Sequence, residues 1–124
     1  MRSGLSDAEY EIMQIIWAHD TEPAYFAPLQ KALEEAGYPC HKNTLITLLG
    51  RLVHKGYLRA VKSGRKNAYH AAVSEQEFKS SEAQGFLDKY YAGSAATLMT
   101  TLVRADMLTN EEYAELKAVL EEKQ

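Results

Sequence analysis

Residues 41–72 read HKNTLITLLGRLVHKGYLRAVKSGRKNAYHAA, and this stretch decides the fold. Leu45, Leu48, Leu49, Leu52 and Val53 recur at the i, i+3, i+4, i+7, i+8 spacing of a helix with one buried face, so a helix is expected over His41–Lys55. Gly56 ends it. Tyr57–Lys62 is rich in strand formers, Ser63-Gly64 is a turn signal, and Asn67–Ala72 returns, which predicts a β-hairpin. The helix face opposite the leucines presents Asn43, Thr44, Thr47 and Arg51, with His54 further along. Lys62 precedes the hairpin tip, and Arg65 and Lys66 lie at or just after it.

Charge gives this segment its meaning. No Asp or Glu occurs between Glu35 and Glu75, although the chain has 17 acids and a net charge of −3. Lys42, Arg51, Lys55, Arg59, Lys62, Arg65 and Lys66 all fall there, half of the chain's 14 basic residues. Such segregation suits an anionic polymer, because phosphate contacts supply much of the affinity for nucleic acid. Short hydrogen-bonding side chains let a helix backbone approach base edges, while arginine and lysine hold phosphates. Asn43, Thr44 and Thr47 are therefore the candidates for base contact. Lys42, Arg51, His54, Lys62, Arg65 and Lys66 are the candidates for the DNA backbone.

Two helices are expected before this segment. Ser6-Asp7-Ala8-Glu9 is a capping box, Leu5 and Tyr10 can form a hydrophobic staple, and Ile12, Met13, Ile16 and Trp17 follow at helical spacing. Asp20–Ala27 reads as a connector. Pro28 suits the first turn of a second helix, whose buried face carries Leu29 and Leu33 and which stops at Gly37 and Pro39. Three helices followed by a hairpin with a basic tip is the order of a winged helix-turn-helix, which places its third helix in the major groove.

The chain changes character at Val73, dividing into residues 1–73 and 74–124. Ser74-Glu75-Gln76-Glu77 opens a helix carrying Phe78, Phe86, Leu87, Tyr90 and Tyr91, which Gly93 closes. Ser94 caps a short helix with Leu98, Met99, Leu102 and Val103. Thr109-Asn110-Glu111-Glu112 starts a last helix with Tyr113, Leu116, Val119 and Leu120. Three helices of this length bear more apolar surface than they can cover alone, so a dimerisation module is expected. Its interface candidates are Phe86, Leu87, Tyr90, Tyr91, Leu98, Leu102, Tyr113, Leu116 and Leu120. A two-fold dimer would present two recognition helices to a palindromic site. The fold class is mainly α with a small β-hairpin wing.

Other classes fare less well. The hydrophobic fraction of 46% and charged fraction of 25% are ordinary for a globular chain. Cys40 is the sole cysteine, so no intramolecular disulfide forms. MRSGLSDAEY has no apolar leader and no run nears the ~18 apolar residues of a membrane span, so a cytoplasmic protein with no membrane contact of its own is expected. Cys40 beside His41 is the one nucleophile–base pair on offer. Neighbours in a turn rarely reach catalytic geometry, and no enzyme is expected. His19, His41, His54 and His70 lack ligand spacing, so neither metal nor cofactor is expected. Two alternatives stay open. A small-molecule sensor would use Tyr90, Tyr91 and Tyr113 in a pocket between domains. A winged-helix adaptor would bind protein and show no salt-dependent DNA affinity.

Three segments carry a family resemblance: LSDAEYEIMQIIW (Leu5–Trp17), NTLITLLGRLVHKGYL (Asn43–Leu58) and KSGRKNAY (Lys62–Tyr69). FLDKYYAGS (Phe86–Ser94) and the closing LTNEEYAELKAVLEE add to it. In this order and spacing the chain resembles the penicillinase repressor family, which includes repressors of beta-lactamase and methicillin-resistance operons. The resemblance implies a homodimeric transcriptional repressor with an N-terminal winged helix and a C-terminal three-helix dimerisation domain. It implies a palindromic double-stranded DNA operator, typically with TACA/TGTA-like half-sites, read by Asn43, Thr44 and Thr47 with Arg51 on the backbone. Well-known members carry lysine where this chain has Asn43; lysine favours guanine acceptors, whereas asparagine pairs bidentately with adenine. The resemblance also implies release by proteolysis of the C-terminal domain, with a membrane sensor protease as partner. The family's Asn-Phe scissile pair falls near Thr101-Leu102, and this sequence departs from it at both residues. Copper-responsive relatives carry C-terminal cysteines, which are absent after Cys40, so a thiolate copper switch is not expected.

Overall fold

The computed structural model describes residues 4–19 and 22–124. Its elements run α1 (Asp7–Ala18), α2 (Phe26–Glu35), α3 (Lys42–His54), β1 (Leu58–Ser63), β2 (Lys66–Ala71), α4 (Glu75–Tyr90), α5 (Ala95–Arg104) and α6 (Asn110–Glu122). The first two residues of the expected connector, Asp20 and Thr21, lie outside the described residues. Among the described residues no helix is long and apolar enough to cross a membrane.

Local chemistry sets the helix ends. The Glu9 N–H donates to Ser6 Oγ (3.2 Å) and the Ser6 N–H donates to Glu9 Oε1 (2.8 Å), closing the capping box of α1. The second helix begins at Phe26, slightly earlier than the position of Pro28 implied. Its first backbone bond is donated by Leu29 to the Tyr25 carbonyl, so Pro28 occupies a position that needs no N–H. At the end of α3, Gly56 adopts φ +88° and the Tyr57 N–H returns to the Leu52 carbonyl, the bonding pattern of a left-handed helix stop.

The chain forms two compact units, residues 1–80 and 81–124. In the first unit α1 packs on α2, α3 and β2, and α3 packs on β1. Ile12, Met13 and Ile16 of α1, Leu33 of α2, and Leu45, Leu49 and Leu52 of α3 meet at full burial. The wing is a two-stranded antiparallel sheet in the register Leu58↔Ala71 to Ser63↔Lys66. That register makes Gly64-Arg65 the two-residue turn, one step on from the Ser63-Gly64 reading. Gly64 takes φ +65°, as the first central position of a type II′ turn requires. Ala24 adds an isolated bridge to Tyr69, with N–H···O bonds of 2.9 and 2.8 Å in the two directions, so the connector supplies a third, one-residue strand. This architecture is a winged helix-turn-helix.

Two expectations need correction. Leucine periodicity puts Val53 on the buried face, but it is 37% exposed. Eight steps of about 100° leave it roughly 80° around the helix from Leu45, past the edge of the stripe. Sequence order groups Phe78 with the C-terminal helices, yet it belongs to the first unit. Its ring lies 5.7 Å from Tyr10, 5.5 Å from Trp17 and 6.0 Å from Tyr57. The compact units accordingly meet within α4, after its first turn, whereas composition changes at Val73. Val73 is itself buried, and its carbonyl accepts a 2.9 Å hydrogen bond from the Trp17 indole N–H.

The second unit differs in kind. Neither α5, α6 nor any part of α4 contains a buried residue, and these helices pack little on one another. Phe86, Tyr90, Val103, Met107, Tyr113, Val119 and Leu120 are all exposed. The helices are nonetheless well capped: Ser74 with Glu77 and Thr109 with Glu112 form capping boxes, and Ser94 accepts from the Thr97 N–H. Caps make the helices, and no core makes a domain of them.

Candidate nucleic-acid interface

The amphipathic spacing of α3 turns its leucines inward and leaves Asn43, Thr44, Thr47 and Arg51 outward. These four, with Leu48 at the base, line one shallow surface concavity. The three residues expected to contact bases and the arginine expected to hold a phosphate are thus brought together. Thr47 Oγ1 donates to the Asn43 carbonyl at 3.0 Å, so its proton is engaged within the helix. Its methyl group and remaining acceptor capacity are what it offers outward.

The N-terminal end of α3 has no acidic residue in its first turn, and His41 at the cap position makes no side-chain hydrogen bond to it. The leading N–H groups and the positive end of the helix dipole therefore remain available to an anion. Lys42 sits at this end, and Arg51 and His54 lie in the last turn, all exposed. On the wing, Lys62 and Asn67 pair across the strands, Ser63 and Lys66 pair next, and Arg65 is in the turn itself. Lys62, Arg65 and Lys66 are exposed and, among the described residues, form no salt bridge.

Lys55 is the exception within the acid-free segment. Its ammonium donates to Glu9 Oε1 at 2.7 Å and to the Gly4 carbonyl at 3.1 Å. Burial pushes the Glu9 carboxyl up, but the hydrogen bonds from Lys55 and Ser6 and the Lys55 charge outweigh it and hold Glu9 below the usual carboxylate value. Lys55 is the C-cap residue of α3, so this pair ties the end of the outward-facing helix to the start of α1. Sequence reading missed the pair. Glu9 already had a role in its capping box, and 46 residues separate the partners. The signal available was helical phase: Glu9 stands three, four and seven residues before Ile12, Met13 and Ile16, on the face those residues bury.

In the second unit the nine residues expected at a dimer interface divide into two sets. Leu87, Tyr91, Leu98, Leu102 and Leu116 are half-buried, while Phe86, Tyr90, Tyr113 and Leu120 are exposed. The Phe86 ring lies 5.0 Å from Tyr90 and 5.8 Å from Tyr91. Thr101 and Leu102 lie in the last turn of α5, where Thr101 Oγ1 donates to the Thr97 carbonyl at 2.9 Å.

Comparison with known proteins gives a consistent result. A family model described as penicillinase repressor matches residues 5–122. The chain is 30% identical over 118 residues to the penicillinase repressor of Bacillus licheniformis, covering 95% of this chain and 90% of that one. It is 29% identical over 119 residues to the methicillin resistance regulatory protein MecI of Staphylococcus aureus strain N315, covering 96% and 94%. Among solved structures it resembles the DNA binding domain of the repressor BlaI, with a TM-score of 0.53, 32% identity, and coverage of 62% of this chain and 93% of that one. It also resembles Bacillus licheniformis BlaI in its monomeric form in complex with the blaP half-operator, with a TM-score of 0.51, 31% identity, and coverage of 62% and 90%. With a matching profile over nearly its whole length and a full-length relative at this identity, the chain belongs to the penicillinase repressor family.

Proposed function

We propose that this protein is a homodimeric transcriptional repressor that reads a palindromic operator with two copies of α3. The observation that carries the reading is the outward face of α3. Asn43, Thr44, Thr47 and Arg51 share one concavity, within a segment free of acids and flanked by the basic wing tip. The likeness to BlaI in complex with a half-operator supports operator DNA as the partner, and the winged helix-turn-helix order supports the major groove as the place of α3. Asn43, Thr44 and Thr47 contact bases. Lys42, Arg51 and His54 hold phosphates beside α3, and Lys62, Arg65 and Lys66 hold them beside the wing. Asn43 draws the preferred half-site toward adenine at its contact position.

Dimerisation rests on the coreless second unit. A helical segment with no buried residue and with Phe86, Tyr90, Tyr113 and Leu120 exposed gains a core when a second copy covers it. Two copies related by a two-fold axis then match the symmetry of a palindrome. The working boundary between reading and pairing domains lies near residues 73–80. Derepression follows from the same architecture: a protease acting on the C-terminal domain, in response to a membrane sensor, separates the two copies and lowers operator affinity. Cleavage at Thr101-Leu102 requires the last turn of α5 to unwind first, because a protease binds its substrate extended. The protein acts in the cytoplasm and is not an enzyme.

Fluorescence anisotropy tests the central part. The full chain is titrated onto a palindromic duplex with TACA/TGTA half-sites, variants of it carrying other bases opposite Asn43, and a scrambled duplex, across a salt series. A preference for one palindrome that survives moderate salt and falls when Thr44 or Thr47 becomes alanine is expected. Equal binding to every duplex, vanishing with salt, would contradict sequence-specific repression.

A further inference from the structure

On a helix turning about 100° per residue, Asn43, Thr47 and His54 form the midline of the outward face of α3. Thr44 and Arg51 fall along one flank and Ile46 and Val53 along the other, with Gly50 beside the midline, about 20° from Asn43 on the Ile46 side. This second flank is apolar and open: Ile46 is 50% exposed and Val53 37%. Gly50 lies within α3, where glycine weakens a helix relative to alanine. Nothing inside the chain requires it, since a Cβ built at Gly50 meets nothing within 4 Å and its backbone is in the ordinary helical region. An exposed isoleucine and an unforced glycine, one turn apart on the face that carries Asn43 and Thr47, both point to something outside the molecule.

We propose that Ile46 and Gly50 complete the reading surface: Ile46 packs on the 5-methyl group of a thymine in each half-site, and Gly50 lets the α3 backbone come close to the groove wall. The inference rests on the DNA-binding reading above and deepens it. The thymine methyl is the apolar feature that the major-groove edge of a base pair displays, and it lies beside the adenine that an asparagine reads. The flank is small, and it adjoins Asn43, Thr47 and the acid-free segment, so a base edge fits it better than a protein partner.

The test uses the full chain and a duplex selected from a pool of randomised palindromes, with each thymine replaced in turn by uracil, which lacks only the methyl. At one thymine per half-site, uracil weakens wild-type binding roughly fourfold, and about fifteenfold when both half-sites carry it. Ile46→Ala weakens binding to the thymine duplex by a similar factor and becomes indifferent to that uracil, while its melting temperature stays near wild type. Gly50→Ala melts higher, because its space is open, yet binds every duplex more weakly. If Ile46→Ala remains as sensitive as wild type at every thymine, the methyl contact is overturned. A flat uracil response together with weaker self-association of Ile46→Ala in sedimentation assigns the flank to a protein contact and likewise overturns it. Wild-type affinity in Gly50→Ala overturns the close approach. Failure to select any duplex rejects the DNA-binding reading itself, and this inference with it.

Discussion

Replacing Lys55 by methionine removes one partner of the pair that links α1 to the end of α3. The substitution keeps most of the side-chain length and leaves the Glu9 carboxylate at 1% exposure. Glu9 Oε1 then retains only the Ser6 N–H, and Oε2 already has no hydrogen-bond partner among the described residues. Removing one member of a buried ion pair costs about 3–5 kcal/mol. The Lys55 side chain is 24% exposed, so water weakens the pair, and a loss of about 2–3 kcal/mol is expected. At about 4–8 °C per kcal/mol for a unit of this size, that lowers the melting temperature by roughly 8–24 °C. The pH dependence gives the sharper signature. The folded-state pKa of Glu9 lies below its value of 4.5 in the unfolded chain, so the pair's contribution is present above that value and is lost as pH falls through the folded pKa. In Lys55→Met, burial acts on Glu9 against the Ser6 hydrogen bonds alone, so its pKa rises and the carboxyl becomes neutral sooner. The deficit relative to wild type is therefore largest at pH 7 and shrinks below about pH 4.5. Urea unfolding at pH 7 and pH 3.5, at one fixed protein concentration, measures it. Equal stability at pH 7, or a deficit unchanged between the two pH values, would refute the reasoning.

Three further outcomes are expected. Trp17→Phe removes the indole donor to the Val73 carbonyl and should destabilise the chain by about 1–2 kcal/mol, read as a lower urea midpoint. An unchanged midpoint would mean that water replaces the donor at no cost. Tyr90→Lys with Leu120→Lys should convert a dimer to a monomer in sedimentation while helix content in the N-terminal unit persists, because both positions are exposed within one chain. A dimer that survives both changes places the interface elsewhere. Arg51→Gln should weaken DNA binding similarly on all sequences and reduce the salt slope by about one per half-site, or about two for the dimer on a palindrome, whereas a loss confined to one base position would assign it to base contact.

The first unit was largely legible because its signals are local. Capping boxes, leucine periodicity and the hairpin turn each act within a few residues, and they put α1, α3 and the wing where the structure has them. What escaped depends on contacts between distant segments. The Ala24–Tyr69 bridge recruits a connector with no strand pattern, and Glu9–Lys55 joins two helix ends. Phe78 looked like part of the C-terminal apolar set because aromatic character does not say which core a ring joins. The outward position of Asn43, Thr44, Thr47 and Arg51 was legible from helical phase alone. The significance of Ile46 was not, since an isoleucine beside a leucine stripe passes for its edge until its exposure is known. In the second unit the excess of apolar surface was readable from composition. The complete absence of buried residues was not.

The most direct test of the account varies the distance between half-sites. If two copies of α3 are joined in one dimer, they reach one face of the DNA together and binding depends on helical phase. The full chain is titrated onto a selected palindrome, and onto versions with about 5 or 10 extra base pairs at the centre, half and one turn of the duplex. The account predicts tight, cooperative binding of two chains to the native spacing. It predicts loss of cooperativity at half a turn, with each half-site then filled independently and weakly. Equal affinity and equal stoichiometry at all three spacings would contradict a dimer reading a palindrome.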